Sequence, residues 1–161
     1  MHQDVSRRVN ALQGLAFHSL KPLLEWHKDF GVDEPTIDAQ HEAIFELALK
    51  ASELAQERSD DELLFRVFER FGRALEAHFR FEEDKLGEIN YPDIDNHRAQ
   101  HQAMLAEFDF VRQRIRGNQS EWAFQHQSLI MLNFMIGVTV GHILSADVDY
   151  AQFIHRPAEA A

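Results

Sequence analysis

Apolar residues recur at helical spacing along four long stretches of this chain, with turn-forming residues between them. The first stretch runs from about Asp38 to Gln56. Ile37, His41, Ile44, Phe45, Ala48 and Leu49 share one face, and Thr36, following Pro35, is the expected N-cap. The second runs from about Asp60 to Leu86 on the stripe Leu64, Val67, Phe68, Phe71, Leu75, His78, Phe79 and Glu82. Ser59 or Asp60 can cap it, and Gly87 can end it. The third runs from about Ile94 to Arg116 on His97, His101, Met104, Leu105, Phe108, Val111 and Ile115, with Gly117 and Asn118 after it. The fourth runs from about Ser120 to Leu144 or on towards Phe153. It is apolar on nearly every side, which predicts the most buried helix.

Short connections make successive helices antiparallel neighbours, so the expected fold is all-α, an up-down-up-down four-helix bundle. Residues 36–156 form the bundle in this reading, and residues 157–161 form a frayed tail. Residues 1–35 form an arm. Val5, Val9, Leu12, Ala16 and Leu20 fit an amphipathic helix that Pro22 interrupts, and Trp26, Phe30 and Val32 precede Pro35. The arm packs across the bundle or against a partner, either a second copy or a signalling protein.

Composition narrows the chemistry. A chain of 161 residues fits one domain with a core, and thirteen Phe make that core aromatic. There is no Cys, so disulfides, iron–sulfur clusters and thiolate zinc sites are excluded, and any metal must be held by nitrogen and oxygen. A formal net charge of −11 argues against nucleic acid or an anionic membrane as partner. The most apolar run, Leu129 to Val140, is short for a membrane span, and the N-terminus lacks the pattern of a signal peptide. The expected location is therefore the cytoplasm.

Seven metal-type side chains fall in four clusters: His41; His78 with Glu82; His97 with His101; and His142 with Asp147. They occupy the start of the first helix, the end of the second, the start of the third and the end of the fourth. In an up-down bundle these places share one end. His78–Glu82 and His97–His101 are four apart and so project from one face. His142 and Asp147 are five apart, about 140° on an ideal helix, and converge only if the last turn is tilted or distorted. A lone His-x3-Glu or His-x3-His pair is usually an ordinary helix contact, and His2, His18, His27, His126 and His155 read as bystanders. All four clusters together differ, because burying five imidazoles and two carboxylates without an ion is costly. With Glu82 and Asp147 bridging and one bridging oxygen, the set fills all but one position of two octahedral ions. Iron fits such a site, and zinc or manganese is compatible. The open position suits a small diatomic molecule or anion.

Four motifs carry a resemblance: I-D-A-Q-H at 37–41, H-F-R-F-E-E at 78–83, Y-P-D-I-D-N-H-R-A-Q-H at 91–101 and H-I-L-S-A-D at 142–147. Together they resemble the hemerythrins, in particular bacterial hemerythrin-like domains, over about residues 26–153. The resemblance implies a non-heme, oxo-bridged pair of iron ions that binds O2 reversibly. His97, His101 and His142 would hold one iron. His41 and His78 would hold the other, which keeps the open position, and Glu82 and Asp147 would bridge. O2 would bind at the open iron and draw one electron from each iron and a proton from the bridge. The protein's part is to keep the pocket dry and that proton local.

This chain departs from the family pattern at three places. Lys85 or Leu86 stands where a Met is usual, outside the site. Val138 stands where the family usually has Trp, and Thr139 where it usually has a Leu lining the O2 pocket. The smaller pair implies a roomier, more polar pocket that oxidises faster than a dedicated carrier, unless Phe45 or Ile136 fills the space. The first functional expectation is an O2-binding carrier, store or sensor rather than an enzyme. The alternatives are a di-iron oxidoreductase acting on peroxide, O2 or nitric oxide, and an oxygen- or redox-sensing signalling module. Ferritin-like chemistry needs Glu-x-x-His pairs that this chain lacks.

Overall fold

A computed structural model describes residues 17–57, 60–117 and 124–155. The chain forms a helical bundle. Helix α1 spans Phe17–Leu24, a 3-10 turn spans Lys28–Phe30, α2 spans Pro35–Glu57, α3 spans Asp61–Glu88 and α4 spans Ile94–Gly117. The fourth long helix is continuous but changes register twice. It is α-helical over Phe124–Val138 (α5), π-helical over Thr139–Asp147, and α-helical again over Val148–Ile154 (α6). Each long helix packs on the next, and α2 closes the bundle against α5.

The helix ends show local chemistry that fixes their positions. Pro35 opens α2, where its missing N–H is no loss. Glu34, not Thr36, caps that end, accepting from the Ile37 N–H at 2.7 Å. Asp60 caps α3 by accepting from the Leu63 N–H at 3.0 Å, while Ser59 lies outside the described residues. Gly87 does not end α3. The helix runs one residue further, and Asn90 takes the left-handed conformation at φ 52°. The Asn90 N–H then reaches Gly87 O at 3.1 Å and the Tyr91 N–H reaches Leu86 O at 2.9 Å, the paired bonds of a Schellman end. Leu86 and Tyr91 pack together beneath it with Val32, Ile37 and Tyr150.

The main core is aromatic, as the Phe count predicts. Phe68, Phe71, Phe108 and Phe134 pack ring to ring between α3, α4 and α5. Where α3 meets α4, Phe108 lies over Gly72. A Cβ at that glycine would sit 2.1 Å from the ring, so the absence of a side chain sets the approach of the two helices.

Three expectations about the ends and the fourth helix are corrected. Pro22 does not interrupt the first helix. It lies inside α1, which runs on to Leu24. The described part of the arm folds on its own bundle: α1 lies along α2 and touches the π-helical segment, and Leu24, Trp26 and Phe30 join the main core. The fourth helix is not buried all round, since Leu129 and Val148 are 45% and 47% exposed. Nor is it short. Gln127–Ile154 is a continuous helix of 28 residues, long and apolar enough to cross a membrane by length and composition. Its inner face carries His142 and Asp147, turned towards the other helices. Residues 1–16 and the tail after His155 lie outside the described residues.

Candidate metal centre

The two carboxylates and five imidazoles meet at one end of the bundle. Each of the seven is almost wholly buried. They form two overlapping groups: Glu82, His97, His101, His142 and Asp147; and His41, His78, Glu82 and Asp147. Within each group the ligand-type atoms lie within 4.8 Å of one another, and Glu82 and Asp147 belong to both. His41 comes from α2, His78 and Glu82 from α3, His97 and His101 from α4, and His142 and Asp147 from the π-helical segment.

That segment resolves the awkward spacing of five. A π-helix bonds i to i+5, so residues five apart come into line where an α-helix would turn them apart. His142 Nε2 then sits 3.0 Å from Asp147 Oδ1. Side chains support the wide turn. Thr139 Oγ1 donates to Met135 O at 2.9 Å, and the Ser145 hydroxyl donates to Gly141 O. Both engage carbonyls one turn back, as Ser and Thr do where a helix departs from its regular ladder.

The imidazoles are aimed. His101 Nδ1 lies 2.8 Å from Glu83 Oε1, and a carboxylate can only accept, so the proton sits on Nδ1 and Nε2 faces inward. Phe79 stacks on the same ring at 3.7 Å between centroids, and Arg98 holds Glu83 at 3.8 Å. His78 Nδ1 donates to Gln40 Oε1 at 2.9 Å, which turns its Nε2 inward as well. His41 Nε2 and His78 Nε2 face each other at 3.1 Å, and His41 Nε2 is 3.1 Å from Asp147 Oδ2. His97 Nε2 is 2.9 Å from Glu82 Oε2 and His101 Nε2 is 3.1 Å from the same oxygen. The Tyr150 hydroxyl donates to the other Glu82 oxygen, Oε1.

Electrostatics and hydrogen bonding both point to a cation. Burial and Asp147 favour the protonated form of Glu82. The contacts from His101 and His97 and the charge of His78 outweigh them and hold Glu82 at about 2, against an ordinary 4.5. Burial likewise opposes ionisation of Asp147, yet His142, His41 and His78 hold it well below its ordinary range. Burial lowers His97, but the hydrogen bond and charge of Glu82, with Asp147, raise it above its ordinary 6.5. Even so, His41 Nδ1, His101 Nε2, His142 Nε2 and both Asp147 oxygens are buried with no hydrogen-bond partner. Buried polar atoms left unpaired are destabilising, and all but His41 Nδ1 belong to donor pairs that face the centre. A nitrogen- and oxygen-ligated ion pair fits these atoms.

The model of the hemerythrin HHE cation binding domain matches residues 33–154. The chain belongs to the hemerythrin family. Two proteins named bacteriohemerythrin are among its relatives. That of Clostridium acetobutylicum is 27% identical over 130 residues, covering 78% of this chain and 96% of its own length. That of Stenotrophomonas maltophilia is 26% identical over 114 residues, covering 65% of this chain and 74% of its own. No solved structure matches. At the level of the family, the hemerythrin domain binds O2 at a di-iron centre, and this chain presents a buried His, Glu and Asp cluster able to hold metal.

Three residues of the hemerythrin domain escaped the reading of its sequence: Gln40, Glu83 and Tyr150. Each lies close in sequence to a cluster member, beside His41, beside Glu82 and three after Asp147, and that adjacency was the available signal. The Thr139 hydroxyl donates to Met135 O and Ile136 O of its own helix, and Val138 and Thr139 are both buried. Of the bystander histidines, His27 caps the 3-10 turn and His155 donates to Val32 O at 3.1 Å. His2 and the side chains of His18 and His126 lie outside the described residues.

Proposed function

We propose that this protein binds O2 reversibly at a non-heme di-iron site. In this reading His97, His101 and His142 would hold one iron and His41 and His78 the other, with Glu82 and Asp147 shared between them. The observation that carries the reading is the sharing of Glu82 and Asp147 between two buried donor groups, one with three imidazoles and one with two. With two imidazoles rather than three, the His41–His78 side would keep the open position. When bound, the iron pair supplies reversible electron transfer to O2.

The chain's own residues supply the rest. Gln40 and Glu83 orient His78 and His101. Tyr150 holds one oxygen of Glu82 so that the other faces His97 and His101. Trp26 packs on His41 and Phe79 on His101, with Phe45 behind Trp26, and these rings help to keep water out and the proton inventory local. A nearly complete ligand set favours binding, because it leaves room for one small ligand. Carrier, store and sensor all use this site.

The test is an anaerobic cycle. The iron-loaded protein is reduced, exposed to air and then stripped of oxygen while its visible spectrum is recorded. The expected result is a nearly colourless reduced form that gains a charge-transfer band in air and loses it again. Direct passage to the oxidised spectrum, even on rapid mixing, would favour oxidase-like chemistry. No iron-dependent colour in protein shown to hold two irons would sink the reading.

A further inference from the structure

The chain has two tyrosines, and the fold places both at the metal centre. Tyr150 is fully buried and donates its hydroxyl to Glu82, a member of both donor groups. Tyr91 comes from the loop between α3 and α4, far from Tyr150 in sequence, yet the two rings meet edge to face at 6.2 Å between centroids. Tyr91 keeps 8% of its surface exposed, so the pair reaches from the buried centre to the protein's edge. His97 lies against both rings, at 6.4 Å from Tyr91 and 5.5 Å from Tyr150. Of all aromatic side chains, phenol and indole give up an electron most readily, and phenol does so best when its proton has an acceptor. Tyr150 has that acceptor in Glu82. Asp93 and Asp149 stand near Tyr91, and their negative charge favours a missing electron there.

We propose that Tyr150 and Tyr91 form an electron-transfer route between the metal pair and the protein surface. The proposal rests on the di-iron reading above. Its oxidant is hydrogen peroxide at the centre and its final donor a one-electron reductant in solution, such as ascorbate. Tyr150 loses one electron towards the centre while its phenolic proton stays shared in the existing hydrogen bond with Glu82. One electron then crosses from the Tyr91 ring to Tyr150, while the Tyr91 proton leaves to solvent. The net change is one electron and one proton lost from Tyr91, which the solution reductant restores. Two such events, with two protons, reduce one hydrogen peroxide to two waters. The route clears an oxidising equivalent before it attacks the buried imidazoles and Phe rings around the centre.

The experiment uses the full chain, loaded with iron and oxidised to the ferric state so that the irons hold no electrons for peroxide, and then mixed with hydrogen peroxide. Protein radicals are read by freeze-quench electron paramagnetic resonance, and trapped radicals are located by peptide mapping. The expected wild-type result is a tyrosyl signal with the trap adduct on Tyr91. In Tyr91→Phe, which leaves the Tyr150–Glu82 bond in place, the surface adduct is lost and the tyrosyl signal persists longer, with unchanged iron content. Equal adduct yield in Tyr91→Phe, or an adduct centred on Trp26, overturns the route. So does the absence of a protein radical in a sample that holds two irons and cycles O2, a result that leaves the di-iron reading standing. A chain that takes up no iron overturns both.

Discussion

Glu83 and Gln40 touch no open metal position, yet each holds one imidazole by its outer nitrogen. Partners of this kind fix the ring and raise its basicity, and losing one lowers metal affinity by about 10–100-fold. Because the two residues serve different donor groups, the loss should be selective. Glu83→Ala should weaken the site built on His97, His101 and His142, and Gln40→Ala the site built on His41 and His78. Iron titration followed by metal analysis should then find the two variants retaining one tightly held ion each, on opposite sides. Equal loss of both ions from either variant would contradict two distinct sites. Thr139 makes a separate argument at this scale. Its hydroxyl is engaged by Met135 O, so Thr139→Val should leave the autoxidation rate unchanged. Thr139→Leu adds apolar bulk at a fully buried position and should slow autoxidation by excluding water. Decay of the oxygenated visible band measures both, and faster decay in Thr139→Val would show that the hydroxyl protects the site.

Among the helices, the crossing of α3 and α4 depends on Gly72, because Phe108 occupies the space where a side chain would be. Phe108 is itself packed against Phe68 and Phe134 and cannot swing freely. Gly72→Ala should therefore destabilise the bundle by about 1–3 kcal/mol through overpacking, offset in part by the better helix propensity of Ala. Denaturant unfolding checks this, and a stabilised variant would show that the ring relocates without strain. The four helices and their inner stripes were legible in the sequence because a 3.6-residue period leaves a phase that apolar residues mark. Ile44, Phe68, Phe71 and Leu75 stand in the core where that phase put them. The convergence of the seven side chains followed from order and direction alone. The π-helical segment was not legible in the same way. From Leu129 to Leu144 the helix is apolar on nearly all sides, so periodicity carries no phase there and a change of register leaves no mark. Only the spacing of His142 and Asp147 hinted at it. The Glu34 cap and the Asn90 end are local, set by residues beside the helix ends they close, whereas the reach of Tyr150 to Glu82 depends on where distant segments meet in space, which neighbouring residues do not encode.

For the molecule as a whole, the centre ties stability to pH in two opposite ways, depending on metal. Without metal, Glu82 and Asp147 are held below their ordinary values of 4.5 and 3.8, so the stability they give is complete above those values and is lost as pH falls towards about 2. His97 is raised above 6.5, so its contribution is complete below 6.5 and is lost as pH climbs through its folded value. The metal-free bundle should thus be most stable in the mildly acidic range and weaken towards alkaline pH. With metal the sign reverses on the alkaline side. Imidazoles and carboxylates must be deprotonated to ligate, so rising pH tightens binding, and binding to the folded state adds about 2.7 kcal/mol when free metal is a hundredfold above its Kd. Thermal unfolding of the two forms across pH 5 to 9 should give curves that diverge above about 6.5, the ordinary imidazole range. Parallel curves would mean that the buried cluster does not exchange protons for metal. The same measurement at high salt separates this local linkage from the self-repulsion of a chain of net charge −11. Screening relieves the repulsion of exposed charges and leaves buried contacts largely untouched, so the divergence should persist while both curves shift upward together.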